Sequence, residues 1–186
     1  MSQLFQTPLA SPRLLLRRLQ HDDAASLCSY RSLPQVAQYQ SWESFGPEDA
    51  VRLIEDQRDK EPGVPGTWFQ VAIVERESQS MIGDCGLHCR QEDSRQTEFG
   101  ITLAPGFQGR GYATEALGCL LHFVITTLGQ HRVSAVTGAE NHAAAALFKR
   151  LGFRREAHHV EHRWYKGNWE SEFVFALLRQ EWESGL

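Results

Sequence analysis

Residues 97–128 place an alternating segment, a glycine-containing loop and a long apolar helix pattern directly one after another. Residues 97–103 alternate apolar side chains with polar or small ones, which predicts a half-buried strand. Residues 104–106 break this pattern with proline and glycine. From residue 113, apolar side chains recur at helical spacing as far as residue 128. The stretch therefore predicts a strand whose following loop opens directly into a helix.

A loop of this kind is suited to binding an anion. The first turn of a helix has main-chain N–H groups without partners inside the helix, and the helix dipole places about half a positive charge there. Gly109 and Gly111 have no Cβ atom, so a ligand can approach their main chain closely, and Arg110 adds a cation at the rim. The loop therefore predicts a pyrophosphate site. Glu115, in the first turn of the helix, is interpreted as structural.

Two better-known phosphate-binding motifs do not fit this loop. A P-loop ends in Gly-Lys followed by Ser or Thr, a combination that is absent from the sequence. A Rossmann fingerprint requires a third glycine where Thr114 stands and an acidic residue about 20 positions further on, whereas Glu140 comes well beyond that distance. Dinucleotide binding is kept only as a minor alternative.

Length and charge limit the class of protein. The 186 residues suit one domain, and residues 1–186 are interpreted as such. The formal net charge of −4 offers no overall basic field, so we expect neither nucleic acid nor an anionic membrane as a partner. The sequence has no apolar run of about 18 residues and no signal peptide at its start. We expect a cytoplasmic protein that is a monomer or a homodimer.

Cysteine and histidine residues give two weak indications of a metal site. Cys85 and Cys89 lie four positions apart near His88, but no second pair completes a ligand set, so buried strand cysteines are the preferred interpretation. Three further histidines fall in a predicted strand: His158, His159 and His162. Alternation along that strand sends the middle one to the opposite face from the other two. We therefore expect no metal.

The rest of the chain divides into strands and helices with clear breaks between them. Asp22 and Asp23 are predicted to cap a helix that runs to about residue 32. Further predicted strands cover residues 13–19, 68–74, 81–89, 132–137, 154–165 and 169–178, and further helices cover residues 47–60 and 141–151. The strand–helix–strand order from residue 97 to residue 137 implies a crossover, so these two strands lie parallel.

Three parts of the chain resemble one known family. Gln108, Gly111 and Ala113 match the signature Gln/Arg-x-x-Gly-x-Gly/Ala, which resembles the acetyl-CoA pyrophosphate loop of the GCN5-related N-acetyltransferases, the GNAT superfamily. Residues 114–117 and the Arg-Leu-x-Leu-Arg segment at 13–17 are similar to its RimJ/RimL-like branch, which acetylates the N-termini of ribosomal proteins. The resemblance covers roughly residues 10–182. It implies the GNAT fold: an α/β (α+β) fold with a mostly antiparallel mixed sheet, one splayed parallel strand pair and flanking helices.

The resemblance also implies an activity and its binding residues. The chain would be an acetyl-CoA-dependent N-acetyltransferase in which a primary amine, from a protein N-terminus or a small molecule, attacks the thioester directly. Acetyl-CoA would contact Ile101, Thr102, Leu103, Gln108, Gly109, Arg110, Gly111, Tyr112, Ala113, Thr114, Asn141 and Phe148. The amine would be bound near Tyr39, Trp42 and Phe45, which are equally interpretable as core packing between two helices.

Glu98 is the predicted catalytic base. Period two places it on the face opposite Phe99 and Ile101, immediately before the glycine loop. A carboxylate at this position can take the proton of an ammonium group directly or through water. The alternative is a structural glutamate that pairs with a neighbouring Arg or His. Asp84 and His88, on the preceding strand, are the reserve candidates for the base.

The general acid of the family is missing from the sequence. Many members have tyrosine where this chain has Phe148, and the RimJ/RimL-like branch often has serine where Ala144 stands. A thiolate is a stable enough leaving group near neutral pH to depart unaided or by way of water. An alternative function follows from the same gap: a non-catalytic sensor that binds acyl-CoA without transferring the acyl group.

Overall fold

The computed structural model describes residues 5–185, and within that range eight strands form one sheet. The strands are β1 (Leu9–Ala10), β2 (Leu14–Arg18), β3 (Trp68–Glu75), β4 (Met81–Cys89), β5 (Gln96–Leu103), β6 (Arg132–Gly138), β7 (Arg154–Tyr165) and β8 (Asn168–Leu178). The α-helices are α1 (Ala24–Arg31), α2 (Pro34–Ala37), α3 (Pro47–Gln57), α4 (Tyr112–Thr126), α5 (His142–Arg150) and α6 (Arg179–Glu183). The order in the sheet is β1-β2-β3-β4-β5-β6-β8-β7, in which β5 and β6 are parallel and all other neighbours antiparallel. The predicted fold class, a mostly antiparallel mixed sheet with flanking helices, is confirmed.

The two faces of the sheet build two separate cores. Phe69, Leu87 and Phe99 face α4 and α5 in the larger core. Ala72 and Val74 face the other way and pack under α1 and α3 in the smaller core. Because side chains alternate along a strand, the even-numbered residues of β5 and those of β4 from Asp84 onwards share the face that carries α1 and α3. A register shift at the start of β4 places Ile82 in the larger core and Met81 in the smaller one.

Two acidic residues before α1 have a role that differs from the predicted one. Asp22 and Asp23 lie in a short 3₁₀ turn, and neither side chain caps α1. The carboxylate of Asp23 instead accepts hydrogen bonds from the Gln20 main-chain N–H at 2.7 Å and from the Arg17 guanidinium at 2.7 and 2.8 Å. The Arg17 ion pair competes successfully for the carboxylate because it is charge-assisted. Asp23 thus occupies the predicted N-cap position of α1, but its side chain holds the turn to β2 and does not cap the helix.

The histidines of β7 are arranged differently from the predicted alternation. A β-bulge between His159 and Arg163 shifts the register, with Glu161 at a φ of 44°. His162 consequently lies beside His159, with ring centres 4.9 Å apart, and one of its ring nitrogens is 2.7 Å from a carboxylate oxygen of Glu172. Among residues 5–185 there is no group of three or more His, Cys, Asp or Glu side chains that could hold a metal ion.

The two cysteines of β4 lie in the interior of the protein. Cys85 and Cys89 are both buried free thiols, as predicted, and burial raises the pKa of each.

None of the helices between residues 5 and 185 combines the length and the apolar character needed to cross a bilayer.

The parallel strands β5 and β6 separate soon after they begin. They pair at three positions, of which the last joins Glu98 and Ser134. Beyond this point β5 stays paired with β4 as far as Leu103, and β6 stays paired with β8 as far as Gly138. β5 thus stays paired with β4 and β6 with β8, while β5 and β6 are no longer paired with each other. The result is the predicted V-shaped cleft, with Glu98 and Ser134 at its apex.

Glu115 joins the N-terminal segment to the first turn of α4. Its carboxylate accepts hydrogen bonds from the Ser11 hydroxyl at 2.7 Å, from the Arg13 main-chain N–H at 2.8 Å and from Arg13 Nε at 2.6 Å. Burial alone would raise the pKa of Glu115, but these donors outweigh it, and the pKa lies below its usual value. The carboxylate has the structural role that its position in the helix predicts.

Replacing Glu115 by glutamine tests this role through its pH dependence. A depressed pKa in the folded state stabilises the protein above the ordinary glutamate pKa, and the stabilisation is lost as the pH falls through the folded-state value. We expect Glu115→Gln to lower the free energy of unfolding by about 1 kcal/mol at pH 7. The difference from the parent protein should shrink below about pH 4.

Urea unfolding at several pH values measures this difference. Glu77→Gln is the matched control, because Glu77 is exposed and forms no hydrogen bond or ion pair within the described residues. A loss of stability for Glu115→Gln that stayed constant from pH 7 to pH 3 would show that the carboxylate charge plays no part.

Candidate active site

The loop between β5 and α4 has an open main-chain surface. Gly109 and Gly111 have φ values of 71° and 81°, in the left-handed region that disfavours residues with a Cβ atom. A Cβ atom at Gly109 would meet nothing within 4 Å, and one at Gly111 would meet only the Arg13 guanidinium at 3.4 Å. Both glycines are exposed, so this side of the loop is free for a ligand.

The main-chain N–H groups after these glycines are available as donors. The first hydrogen bond of α4 runs from the Glu115 N–H to the Gly111 carbonyl at 3.1 Å. The N–H groups of residues 112–114 precede it and therefore have no acceptor inside the helix. The predicted anion site thus has the geometry that a pyrophosphate requires: consecutive N–H donors at the positive end of a helix and no side chain in front of them.

Cationic and aromatic side chains surround this loop. Arg110 lies 5.5 Å from the ring centre of Tyr112, while Arg13 packs on the same ring at 4.3 Å and donates to the Arg110 carbonyl at 3.1 Å. The Tyr112 side chain is buried, and its hydroxyl donates to Glu75, so it anchors the loop. Arg150, which no sequence pattern singled out, reaches across from α5 to within 3.4 Å of the Thr114 hydroxyl.

One edge of β5 faces the cleft. The Ala104 N–H donates to Ile82 of β4 at 2.9 Å, and alternation therefore turns the main-chain groups of Ile101 and Leu103 towards β6. Gln108 donates a side-chain hydrogen bond to the Leu103 carbonyl at 2.9 Å, which holds the loop against the strand end. Thr102 differs from its predicted role, because its main chain faces β4 and its side chain faces the opposite, α1-bearing side of the sheet.

Asn141 and Phe148, the predicted contacts from α5, both have roles in folding. The Asn141 side chain accepts a hydrogen bond from the Ala144 N–H at 3.1 Å and so caps α5, as its sequence position predicts. Phe148 is 3% exposed, and its ring packs 5.4 Å from Phe153 and 5.7 Å from Phe175. Contact of either residue with acetyl-CoA stays a prediction.

Glu98 lies at the apex of the cleft and belongs to an ion pair. Arg90 Nη2 donates to its carboxylate at 3.0 Å, with 22% of the Glu98 side chain and 40% of the Arg90 side chain exposed. His88 is its neighbour on β4 and Ser134 its neighbour on β6. An ion pair at this exposure contributes only about 0–1 kcal/mol, so it leaves the carboxylate able to exchange partners.

Asp84, a reserve candidate for the base, is fully committed to a buried network. It is 1% exposed and accepts hydrogen bonds from the Tyr30 hydroxyl, from two nitrogens of Arg31 and from the Gln70 amide. Burial, reinforced by the Asp84 carboxylate, raises the pKa of Tyr30 well above its usual value, so the phenol stays a donor. The other reserve candidate, His88, is stacked on Trp68 with ring centres 4.8 Å apart.

A cavity of about 460 Å³ lies on the face of the sheet that carries Glu98. Its lining comes from the end of α1, from α3, from β3 to β5 and from the two loops that precede α3 and β3: Arg31, Gln40, Ser41, Trp42, Leu53, Asp56, Gln57, Lys60, Gly66, Thr67, Trp68, Gln70, Asp84, Gly86, Gly100 and Thr102. Gly86 and Gly100 form part of its floor, and the Trp68 ring lies over them. A Cβ atom at Gly86 would come within 2.8 Å of the Trp68 ring, so the missing side chain makes room for this wall of the cavity.

The three aromatic residues predicted to contact the amine have different surroundings. Trp42 lines the cavity, and its indole N–H donates to the Arg31 carbonyl at 3.0 Å. Phe45 lies behind it, with the Arg31 guanidinium 5.1 Å from its ring centre, and packs against the smaller core. Tyr39 does not line the cavity and is 41% exposed. The core-packing interpretation thus describes Phe45, and only Trp42 is placed to contact a molecule in the cavity.

The segment at residues 38–41, here called the bridging loop, spans the two sides of the cleft. Tyr39 packs against Gly138 of β6, and the Gln40 amide is 3.5 Å from the Ile101 carbonyl of β5. Lys166, in the turn between β7 and β8, donates to the carbonyls of Ala37 and Trp42 at 2.6 and 2.7 Å. The ammonium group of Lys166 therefore fixes both ends of the bridging loop, a contact for which the sequence has no local signal.

Comparison with known proteins identifies the family. The model of the acetyltransferase (GNAT) domain matches residues 13–154. The chain belongs to the GNAT acetyltransferase family. It is therefore an acetyltransferase, and GNAT acetyltransferases use acetyl-CoA, which confirms the predicted cosubstrate.

Individual GNAT relatives extend over nearly the whole chain. The N-acetyltransferase p20 of Bacillus licheniformis, itself uncharacterized, is 28% identical over 178 residues, which are 94% of this chain and 97% of that protein. A putative ribosomal-protein-serine acetyltransferase from Vibrio cholerae has a TM-score of 0.75 at 24% identity, covering 96% of this chain and 99% of that one. Spermidine N-acetyltransferase from Vibrio cholerae, in complex with CoA and spermine, has a TM-score of 0.80 at 21% identity, covering 93% and 99%. The two structures share the fold, and the RimJ/RimL-like branch fits these relatives.

Substitution of Gly111 tests the pyrophosphate site of this GNAT enzyme. A valine there must adopt a φ near 81° and places its side chain in front of the N–H groups of residues 112–114. We expect Gly111→Val to raise the Kd for acetyl-CoA by about tenfold or more, as measured by calorimetry. Gly106→Val is the control, because Gly106 lies in the same loop without a positive φ and with nothing within 4 Å of an added Cβ atom. Equal affinities for both variants and the parent would disprove the site.

Substitution of Lys166 tests whether the bridging loop shapes the amine site. Lys166→Met removes two charge-assisted hydrogen bonds to the loop ends, and we expect the KM for the best amine of a panel to rise about tenfold. The Kd for acetyl-CoA should change less than this KM, because the glycine loop makes no contact with the bridging loop, which within the described residues reaches the cleft only at Ile101 and Gly138. Arg58→Met is the control, because Arg58 is exposed and directly follows α3. A parallel loss of acetyl-CoA binding would contradict a role confined to the amine.

Proposed function

We propose that this acetyltransferase transfers the acetyl group of acetyl-CoA to a primary amine by direct attack, with both substrates bound at once. The observation that carries the proposal is that β5 borders two different spaces, the cleft and the cavity. Its edge, at Ile101 and Leu103, borders the cleft, while its face, at Gly100 and Thr102, lines the cavity. A molecule bound in the cleft and a molecule bound in the cavity would therefore both contact β5 and lie next to each other.

The cleft side offers donors in the order that the cosubstrate requires. The glycine loop and the first N–H groups of α4 would hold the pyrophosphate, with Arg110 and Arg150 at its rim. The N–H groups of Ile101 and Leu103 would bond to the amides of the pantetheine arm in the manner of an added strand. Bound acetyl-CoA supplies a thioester that the amine attacks, and the Ile101 N–H is placed to stabilise the developing negative charge on its oxygen.

Glu98 is assigned as the base that removes a proton from the incoming ammonium group. Its carboxylate lies at the apex of the cleft, on the same face of the sheet as the cavity, and Asp84 is unavailable because four donors already occupy it. Departure of the thiolate needs no acid from α5, since a thiol has a pKa of about 8.5. This agrees with a phenylalanine, which has no hydroxyl group, at position 148.

The amine is a protein N-terminus or a small molecule. Relatives of this enzyme are named for both types of acceptor: a ribosomal protein for one and spermidine for another. The cavity is large enough for a single amino-acid side chain or a small amine. A cytoplasmic location and a monomeric or homodimeric state remain predictions from the sequence.

A non-catalytic acyl-CoA sensor is the second candidate function. Phe148, buried among aromatic rings, favours it, because it removes the hydroxyl that many family members use. Release of free thiol from acetyl-CoA, measured with a panel of amines, separates the two functions. Binding of acetyl-CoA without thiol release on any amine would establish the sensor.

Glu98→Gln tests the assignment of the base. At a pH below the pKa of the acceptor amine, most of the amine is protonated, and the enzyme needs a base to remove the proton. At a pH above that pKa, the free amine attacks without a base. We expect kcat/KM at pH 7 to fall by about 100-fold or more, and the variant to approach the parent near pH 10. The Kd for acetyl-CoA should not change. Arg90→Met is the control, since it removes the ion-pair partner and keeps the carboxylate. A pH profile of Glu98→Gln that matched the parent would exclude Glu98.

A further inference from the structure

The hydroxyl group of Ser134 is buried at the apex of the cleft without a hydrogen-bond partner. Ser134 is 2% exposed, and its Oγ atom forms no hydrogen bond with any of residues 5–185. Burying a polar group without a partner is costly, and most buried polar groups in folded proteins are bonded. A group that can reach this hydroxyl and accept a hydrogen bond from it is therefore stabilised there.

Glu98 and Ala176 are the two residues that the sheet pairs with Ser134. Alanine has no polar side chain, so of these two neighbours only Glu98 can accept a side-chain hydrogen bond from Ser134. Paired residues on neighbouring strands point to the same face of the sheet, and the strands lie about 4.8 Å apart. The Glu98 carboxylate therefore reaches the Ser134 hydroxyl by rotation about its own side-chain bonds.

The present partner of Glu98 lies on the other side of β5. Arg90 directly follows β4 and donates to the carboxylate at 3.0 Å, with 40% of the Arg90 side chain exposed. An ion pair at this exposure is weak, because water competes with both partners. Turning Glu98 towards β6 thus exchanges a weak, exposed contact for one that satisfies a buried donor.

The two cations near Ser134 are already bound by another carboxylate. Arg132, two positions earlier on β6, donates to Glu156 at 3.0 Å, and Arg154 of β7 donates to the same carboxylate at 2.5 Å. The hydrogen bonds from Arg132, reinforced by those from Arg154, lower the pKa of Glu156 to about 2, so it stays charged at neutral pH. Both guanidinium groups are therefore held by Glu156, and neither competes with Ser134 for Glu98.

We propose that Ser134 positions the base: Glu98 turns from Arg90 towards the cleft during acetyl transfer, and Ser134 Oγ donates a hydrogen bond to one oxygen of its carboxylate. The other oxygen removes the proton from the ammonium group. One N–H bond breaks, its electron pair stays on the nitrogen, and one O–H bond forms on Glu98. Ser134 acts through Glu98 and is therefore a positioning residue. This inference rests on the proposed role of Glu98 and adds how its carboxylate is held.

Replacing Ser134 by alanine removes only the hydroxyl group. With the best amine of a panel, we expect Ser134→Ala to lower kcat for thiol release from acetyl-CoA by about tenfold, the value of a hydrogen bond to a charged group. The Kd for acetyl-CoA should stay unchanged, and the free energy of unfolding should not fall, because this hydroxyl has no hydrogen bond to lose in the free enzyme. Thr97→Val is the matched control, since the Thr97 hydroxyl is also buried without a partner among the described residues but faces the larger core.

A double-mutant cycle separates positioning from a structural effect. In the Glu98→Gln background there is no base to position, so Ser134→Ala should lower kcat there by less than about twofold. In a crystal structure of the enzyme with CoA and the same amine, the Glu98 carboxylate should lie about 2.7 Å from Ser134 Oγ and away from Arg90. This structure decides the question even if Ser134→Ala does not fold.

The outcomes distinguish this inference from the proposed function. Three results would overturn the role of Ser134 and leave Glu98 as the base: parent activity in Ser134→Ala, equal losses with and without the Glu98 carboxylate, or a Glu98 that stays on Arg90 in the complex. Parent activity in Glu98→Gln would overturn both assignments and leave acetyl transfer intact. Binding of acetyl-CoA without thiol release on any amine would overturn acetyl transfer and the role of Ser134 together.

Discussion

The site depends on the separation of β5 from β6. After three paired positions, each strand keeps its outer hydrogen-bonded neighbour and loses the inner one. The main-chain groups of Ile101 and Leu103 are thereby left on an edge inside the protein, where unpaired polar groups are costly. Gln108 supplies a donor to the Leu103 carbonyl and Gln40 one to the Ile101 carbonyl, and the N–H groups still require acceptors. In the proposed binding of acetyl-CoA, amide carbonyls of the cosubstrate would complete this edge.

The cavity on the other side of β5 is supported by polar groups and not by apolar packing. Asp84 gathers donors from Tyr30, Arg31 and Gln70 at the floor of the cavity, so every lone pair of the carboxylate has a partner. A fully satisfied network of this kind is rigid, because any displacement leaves a buried charge without its partner. Gly86 of β4 leaves room for the Trp68 ring on one side of the cavity, and the network around Asp84 holds Arg31 and Gln70 in place on its lining.

The sequence predicts the local parts of this architecture well and the long-range parts poorly. The face of Glu98 and the open main chain at Gly111 follow from neighbours within a few positions, where alternation and the absence of a Cβ atom are decisive. Asp84 looks equally suitable as a base until its partners, 53 and 54 residues away, are known. Lys166 reads as an ordinary turn residue, since nothing near it indicates an acceptor 124 positions earlier. Local patterns predict which face of a strand each side chain lies on. They do not predict which groups far away in the sequence form its hydrogen bonds.

The Lys166 contact also has a consequence for the order in which the enzyme is completed during synthesis. The contacts that hold the glycine loop come from β5, α4, Arg13 and Glu75, all of which are synthesised before residue 127. The segment before α3 is instead held by a residue that is synthesised 124 positions after Trp42. Closing so long a connection comes late, because the chain entropy must be lost before the contact forms. A growing chain would thus complete the glycine loop first, and the segment before α3 would be fixed only when the last hairpin has folded.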